Sequence, residues 1–289
     1  MTCSESKESF SKLGLIAGGG DIPFQVIEHC LKKGRALFGI GFKGQTSENL
    51  FNAQIPHEWF RLGEIGKILD ALKRENVTEI VMIGNIKRPS FFELRPDLYT
   101  AKLLTRIGFK SLGDNELLSF LVQELEEQGF KIKGLQDVLP PHDVLLGTGF
   151  LGKHSFSKDL LDDIRRGIDV ASLLGQADVG QSVIVDQGLV LGVEGIEVTD
   201  ELIHRCGLLK KTHLMSESPS GVLVKWCKPQ QEKRVDLPTL GLKTLENLER
   251  NHFLGVVAQA HNTLIVEPAM CTDFADQKNL FIYGWEKSK

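Results

Sequence analysis

The chain has 289 residues, enough for two cores of ordinary domain size. Its 42% hydrophobic and 25% charged residues are typical of a globular protein, and a net charge of −4 argues against a general nucleic-acid binder. The five cysteines, Cys3, Cys30, Cys206, Cys227 and Cys271, are dispersed with no C-x-x-C pair, a pattern that fits a reducing cytosol better than a disulfide framework or zinc site.

Residues 1–11 read as a polar N-terminal extension. MTCSESKESFSK lacks the apolar core of a signal peptide, and no run approaches the roughly 18 apolar residues of a spanning helix. The expectation is therefore a soluble, cytoplasmic protein. From residue 12 onward, short apolar runs alternate with helical periodicity, which predicts βα units and a parallel sheet. A strand is expected at 13–17. A helix follows at 23–33, because Ile22, Val26, Ile27, Cys30 and Leu31 share one face, and Gly34 ends it. Further expectations are a strand at 36–41, a helix at 65–75, a strand at 79–84, helices at 97–106 and 115–128, and a strand at 130–133. Together they make a Rossmann-like α/β domain over residues 12–137.

VLPPHDVLLGTG, residues 138–149, has paired prolines, close-spaced glycines and no helical period, and reads as a linker. Residues 150–289 then form a second, mixed α/β domain. A helix is expected at 158–174, followed by strands at 182–186 and 189–194 joined by a Gln187-Gly188 hairpin turn. Strands are also expected at 222–226, 255–259, 264–267 and 280–283, with helices at 200–210, 242–250 and 268–275.

Two loops of the first domain carry ligand chemistry. LGLIAGGGDIP places Gly18, Gly19 and Gly20 between a strand and a helix, but it lacks the Lys and Ser/Thr of a Walker loop. The third glycine of a dinucleotide fingerprint falls on Pro23, and no acid closes the second strand, so a nicotinamide oxidoreductase is disfavoured. What remains is either a glycine-requiring turn, with Asp21 as a natural helix cap, or a backbone cradle for an anion. The first and fourth strands of a doubly wound sheet are often neighbours, which would bring Asn85, Lys87 and Arg88 to the same crevice. A phosphate is then the simplest guest.

In the second domain, KWCKPQQEKRVDLPTLG gathers Lys225, Lys228, Lys233 and Arg234 around Gln231 and Asp236. A carboxylate among cations suits magnesium-assisted hydrolysis of a phosphate ester, while a charged surface loop is the plainer reading. Glu194 closes a strand, and Thr199 or Asp200 would cap the next helix. The histidines form no H-x-x-x-H or H-x-H pair.

LGLIAGGGDIP, GEIGKI, IGNIKRP, DVGQSVIV, GLVLGVEGIEVTDELI and KPQQEKRVDLPTLG occur in one order along the chain. Taken together they resemble the LpxI-type UDP-2,3-diacylglucosamine pyrophosphatases of lipid A biosynthesis, from about residue 12 to about 285. The resemblance implies two α/β domains with the lipid substrate between them. It further implies hydrolysis of UDP-2,3-diacylglucosamine to UMP and 2,3-diacylglucosamine 1-phosphate (lipid X) with Mg²⁺ or Mn²⁺. The family's functional aspartate maps onto Asp236, as metal ligand or general base, and a family threonine maps onto Thr199. Gly18, Gly19, Gly20, Asn85, Lys87, Arg88, Lys225, Lys228, Gln231 and Arg234 are then expected to bind substrate. The lipid substrate implies contact with the cytosolic face of the inner membrane, and the sequence leaves a homo-oligomer open. The rival expectation is a non-catalytic nucleotide-sugar or lipid-binding protein using the same crevice.

Overall fold

The structure, a computed structural model, describes residues 11–52, 54–87, 94–107, 114–214 and 218–286. Arg88 and residues 1–10 lie outside the described residues. The chain divides into two compact units between Leu139 and Pro140.

The first unit runs β1 (Leu13–Ala17), α1 (Ile22–Lys32), β2 (Leu37–Phe42), β3 (His57–Phe60), α2 (Ile65–Arg74), β4 (Glu79–Ile83), α3 (Leu98–Ile107), α4 (Asp114–Glu127) and β5 (Lys131–Lys133). Its sheet is parallel throughout, in the order β3-β2-β1-β4-β5. Every residue of β1 and β2 is buried, as expected where helices cover both faces of a parallel sheet. α1 ends as predicted, with Gly34 at φ +66° donating its N–H to the Leu31 carbonyl. Strand β3 was not predicted. HEWF carries His57 and Glu58 on a half-exposed edge, so no continuous apolar run marks it.

The second unit contains α5 (Pro141–Val144), β6 (Gly149–Leu151), α6 (Leu161–Gln176), β7 (Ser182–Asp186), β8 (Leu189–Val193), α7 (Val198–Leu209), β9 (Val222–Lys225), β10 (Thr239–Leu240), α8 (Leu242–Arg250), β11 (Gly255–Gln259), β12 (Leu264–Ile265), α9 (Pro268–Lys278) and β13 (Phe281–Trp285). The main sheet has the order β6-β13-β11-β9-β7-β8. Its three middle strands β13, β11 and β9 are parallel, while β6, β7 and β8 join antiparallel. The stretch read as a linker includes α5, and it contributes Leu146 to this unit's core. The run expected as a strand over 264–267 shortens to two residues, which pair with β10 outside the main sheet.

Alternation along the strands sorts the core into two layers. Val183, Val185, Val222 and Val224 pack with Ile164 and Ala171 of α6, while Ile184 and Leu223 pack with Leu202, Leu245 and Cys271 of α7, α8 and α9. Fully burying a leucine such as Leu202 or Leu245 stabilises the fold by about 2–3 kcal/mol. The predicted β7–β8 hairpin is present. Gln187 and Gly188 both take positive φ, and their N–H groups donate to Asp163 Oδ2 and Oδ1 at 2.9 and 2.6 Å.

At the far end of β7 a second buried polar cluster forms. Lys210, 1% exposed, donates to the carbonyls of Ser220 and His252, and its Nζ lies 3.9 Å from Asp186 Oδ2.

Candidate functional site

Open α/β sheets present ligand-binding loops at the carboxyl ends of their parallel strands. In the first unit that end is a knot of three loops. Gly19 and Asn85 exchange N–H···O bonds of 2.8 Å in both directions, and the Gly18 N–H donates to the Ile83 carbonyl at 2.8 Å. The Lys87 N–H donates to Gln45 Oε1 at 2.9 Å, which ties in the loop after β2. The expected meeting of the glycine loop with Asn85 and Lys87 is therefore present.

The reason for the glycines differs from a simple cradle. A Cβ on Gly18 would lie 2.6 Å from the Gly84 carbonyl group and 2.7 Å from the Asn85 oxygen, so loop-to-loop contact demands that glycine. The N–H groups of Gly18 and Gly19 are occupied by this pairing, whereas the Gly20 N–H has no partner among the described residues. Asp21 occupies the N-cap position of α1, but its carboxylate makes no capping bond, which corrects the capping expectation. It is exposed and in a helical conformation, so its side chain does not turn back onto the helix.

In the second unit the carboxyl end of β9 delivers Lys225 into the interior. Because β7 runs antiparallel to β9 and β8 antiparallel to β7, the start of β7 and the end of β8 reach the same edge as the end of β9, bringing Ser182 and Glu194 beside Lys225. Thr199 arrives from the first turn of α7. It was expected as a cap, yet Glu197 holds the N-cap position and Thr199 is the second helical residue, facing inward. Thr199, Glu194, Lys225 and Ser182 are all less than a tenth exposed.

Their contacts form one network. Thr199 Oγ1 donates to Glu194 Oε1 at 2.8 Å, and Lys225 Nζ donates to Thr199 Oγ1 at 3.1 Å and to the Thr239 carbonyl at 2.9 Å. Ser182 Oγ lies 3.3 Å from the Thr199 oxygen, and Glu194 Oε2 accepts the Gln181 N–H at 3.2 Å. Burial pulls the Lys225 ammonium below the usual lysine range, while the charges of Glu194, Asp200 and Asp236 push it back up. Asp200, next to Thr199, bonds Lys243 at 2.7 Å and Asn247 at 3.0 Å, which ties α7 to α8.

The segment from residue 226 to 241 leaves Lys225 and returns to this network through the Thr239 carbonyl. Gln231 is buried, and its Oε1 accepts the Lys228 N–H at 3.2 Å, so it shapes the loop from within. Lys228 pairs with Asp178 at 2.8 Å, Lys233 reaches Asn262, and Arg234 is clamped by both oxygens of Glu232. Of the four predicted cations, Lys225 is the buried one. Asp236 is half-buried, with its N–H bonded to the Glu232 carbonyl. Cys227 beside Lys228 is no nucleophile at neutral pH, since burial pushes its thiol up to about 11.

The entrance to α7 is strained and apolar. Val198 sits at φ +66°, a backbone region costly for a β-branched residue, and Ile196 is fully exposed.

Among the described residues no three Asp, Glu, His or Cys side chains gather into a closed metal cage. Mg²⁺ does not need one, because it keeps several waters and binds through one or two carboxylates plus substrate phosphates. The residue types suit it: Asp236 is a carboxylate of the kind such an ion takes, and Gln181 Oε1, just before β7, is a buried acceptor without a hydrogen-bond partner. In the sequence Glu194 is marked only by closing a strand, and nothing there ties Gln181 and Ser182 to it. Only the antiparallel hairpin brings these three together.

Family models for the LpxI N-terminal domain and the LpxI C-terminal domain match residues 12–142 and 147–283. A protein of Caulobacter vibrioides named UDP-2,3-diacylglucosamine pyrophosphatase LpxI is 37% identical over 275 residues, covering 94% of this chain and 97% of that relative.

Proposed function

The chain belongs to the LpxI family, and from that premise we propose that it hydrolyses the pyrophosphate bond of UDP-2,3-diacylglucosamine. Water adds its oxygen to phosphorus, the bridging P–O bond breaks, and UMP and 2,3-diacylglucosamine 1-phosphate leave, in a Mg²⁺- or Mn²⁺-dependent step of lipid A biosynthesis. The observation that carries the reading is the buried ammonium of Lys225, held at the carboxyl end of β9 within the field of the Asp236 carboxylate. A pyrophosphate diester brings negative charge into such a site, and a desolvated cation stabilises the charge that grows in the transition state.

Asp236 holds the metal or accepts the proton of the attacking water. When bound, the metal would polarise the phosphoryl oxygens and acidify a coordinated water. Lys228 and Arg234 contribute positive potential at the loop, moderated by Asp178 and Glu232. Gln231 keeps that loop in shape through the Lys228 N–H. In the first unit, Gly20, Asn85 and Lys87 are assigned to the nucleotide end of the substrate, with the Gly20 N–H as the available backbone donor.

No helix among the described residues is long and apolar enough to cross a membrane. A lipid-linked substrate would bring the protein to the cytosolic face of the inner membrane. Sedimentation with substrate-bearing vesicles tests that contact.

The activity itself is tested by UMP release from the lipid nucleotide, abolished by EDTA and restored by Mg²⁺. Asp236→Ala should lower turnover by at least about a hundredfold while substrate still binds. Binding without UMP release by the native protein would instead establish a non-catalytic lipid-nucleotide binder.

A further inference from the structure

We infer that Thr199 and Glu194 are positioning residues for Lys225, and that the Lys225 ammonium, not the Thr199 hydroxyl, meets the pyrophosphate. The inference rests on the activity proposed above and assigns the work within that site.

The argument is a count of hydrogens and lone pairs. A threonine hydroxyl has one hydrogen and two lone pairs, a carboxylate only accepts, and an ammonium only donates. The single Thr199 hydrogen therefore goes to Glu194 Oε1 at 2.8 Å. One lone pair takes the Lys225 N–H at 3.1 Å, and the other faces Ser182 Oγ at 3.3 Å, which must then be the donor. The Thr199 oxygen is saturated by protein groups. It has no hydrogen left for a phosphoryl oxygen and no lone pair left for a water.

Lys225 is in the opposite condition. Of its three N–H groups, one goes to Thr199 and one to the Thr239 carbonyl, and the third has no partner among the described residues. With the side chain 5% exposed, those two bonds set where the third points. Glu194 is itself fixed, because its second oxygen accepts the Gln181 N–H and its own N–H donates to the Ser182 carbonyl at 2.8 Å. The chain of constraint runs from the start of β7 through Glu194 and Thr199 to the ammonium.

A double-mutant cycle on UMP release from the lipid nucleotide tests this, with kcat and KM measured separately. Thr199→Val keeps the shape and removes the hydroxyl, and should lower kcat about tenfold or more, while Thr199→Ser restores most of the rate. Lys225→Met should cost more than Thr199→Val. The double variant should be no slower than Lys225→Met alone, because the hydroxyl acts through the ammonium. Losses that multiply, or a Thr199→Val enzyme with unchanged kcat, overturn the inference. If thermal melting shows Lys225→Met unfolded, Glu194→Gln replaces it, and its cycle with Thr199→Val should again be non-additive. A native enzyme that releases no UMP overturns the proposed activity and this assignment with it, whereas native turnover with multiplicative losses overturns the assignment alone.

Discussion

Replacing Gly18 with alanine separates two explanations of the glycine loop. The new Cβ would sit 2.6–2.7 Å from the backbone of Gly84 and Asn85, atoms that cannot rotate away. The loops must part, which breaks the Gly18–Ile83 bond and both Gly19–Asn85 bonds. Three backbone hydrogen bonds at about 1 kcal/mol net each give a cost of about 3 kcal/mol, the upper end of the range for overpacking. Gly20→Ala is the control. Gly20 has φ +95°, but its Cβ would meet only Asn85 Nδ2 at 4.0 Å, so its cost is the backbone strain of about 1 kcal/mol. Urea unfolding together with hydrogen exchange over residues 13–24 and 79–87 reads both variants. Gly18→Ala should lose more stability than Gly20→Ala, with the extra exchange concentrated at Gly19 and Asn85. A Gly18→Ala protein of native stability that fails only to bind nucleotide would refute the packing argument and restore the cradle.

Three further outcomes are expected. Lys210→Met removes the cation from the buried Asp186 cluster and should destabilise the protein by about 3 kcal/mol in urea titrations, with Asp186→Asn in the same chain recovering part of the loss. Val198→Gly should raise stability by about 1 kcal/mol, since relief of left-handed strain exceeds the entropy glycine returns to the unfolded chain, and a lower melting temperature would count against the strain. The side-chain hydrogen bond from Arg234 is the main force holding the Glu232 carboxyl below its ordinary value of 4.5; burial pushes it back up, and the Arg234 backbone N–H and charge add smaller downward pulls. The native state then binds fewer protons than the unfolded chain, so this pairing stabilises fully above that value and is lost as pH falls below it. Glu232→Gln should flatten the decline in stability between pH 6 and 3, and an unchanged slope would refute the contribution.

The sequence is most transparent where burial is two-sided. The buried runs of β1, β2 and β7 announce themselves, and the Gln187-Gly188 turn has the composition its backbone requires. Edge and fragment strands do not. β3 carries polar residues, β6 is three residues inside a proline- and glycine-rich stretch, and β10 has only two. The site shows the same division. Lys225, Gln231, Arg234 and Asp236 are legible because they crowd one loop. The sequence points to Thr199 or Asp200 as the cap because it shows their side chains before an expected helix at 200, but the helix begins two residues earlier, at a strained Val198. The partners of Thr199 lie 5, 17 and 26 residues away in the chain, and only the direction of β7 and β8 makes them neighbours.

The Asp163 grip on the hairpin turn reaches further than its location suggests. A strand rises about 3.3 Å per residue, so the five residues of β8 put the turn some 15 Å or more from Glu194. A slip of one residue along the ladder would carry Glu194 to the opposite face and leave the Thr199 hydroxyl facing an empty wall. The ladder already shifts at Ile184/Val185, so its own pairing is not a strict ruler. By seizing the N–H groups of Gln187 and Gly188, Asp163 indexes the hairpin from its distal end, a ratchet pawl that fixes where the carboxylate stops without coming near it.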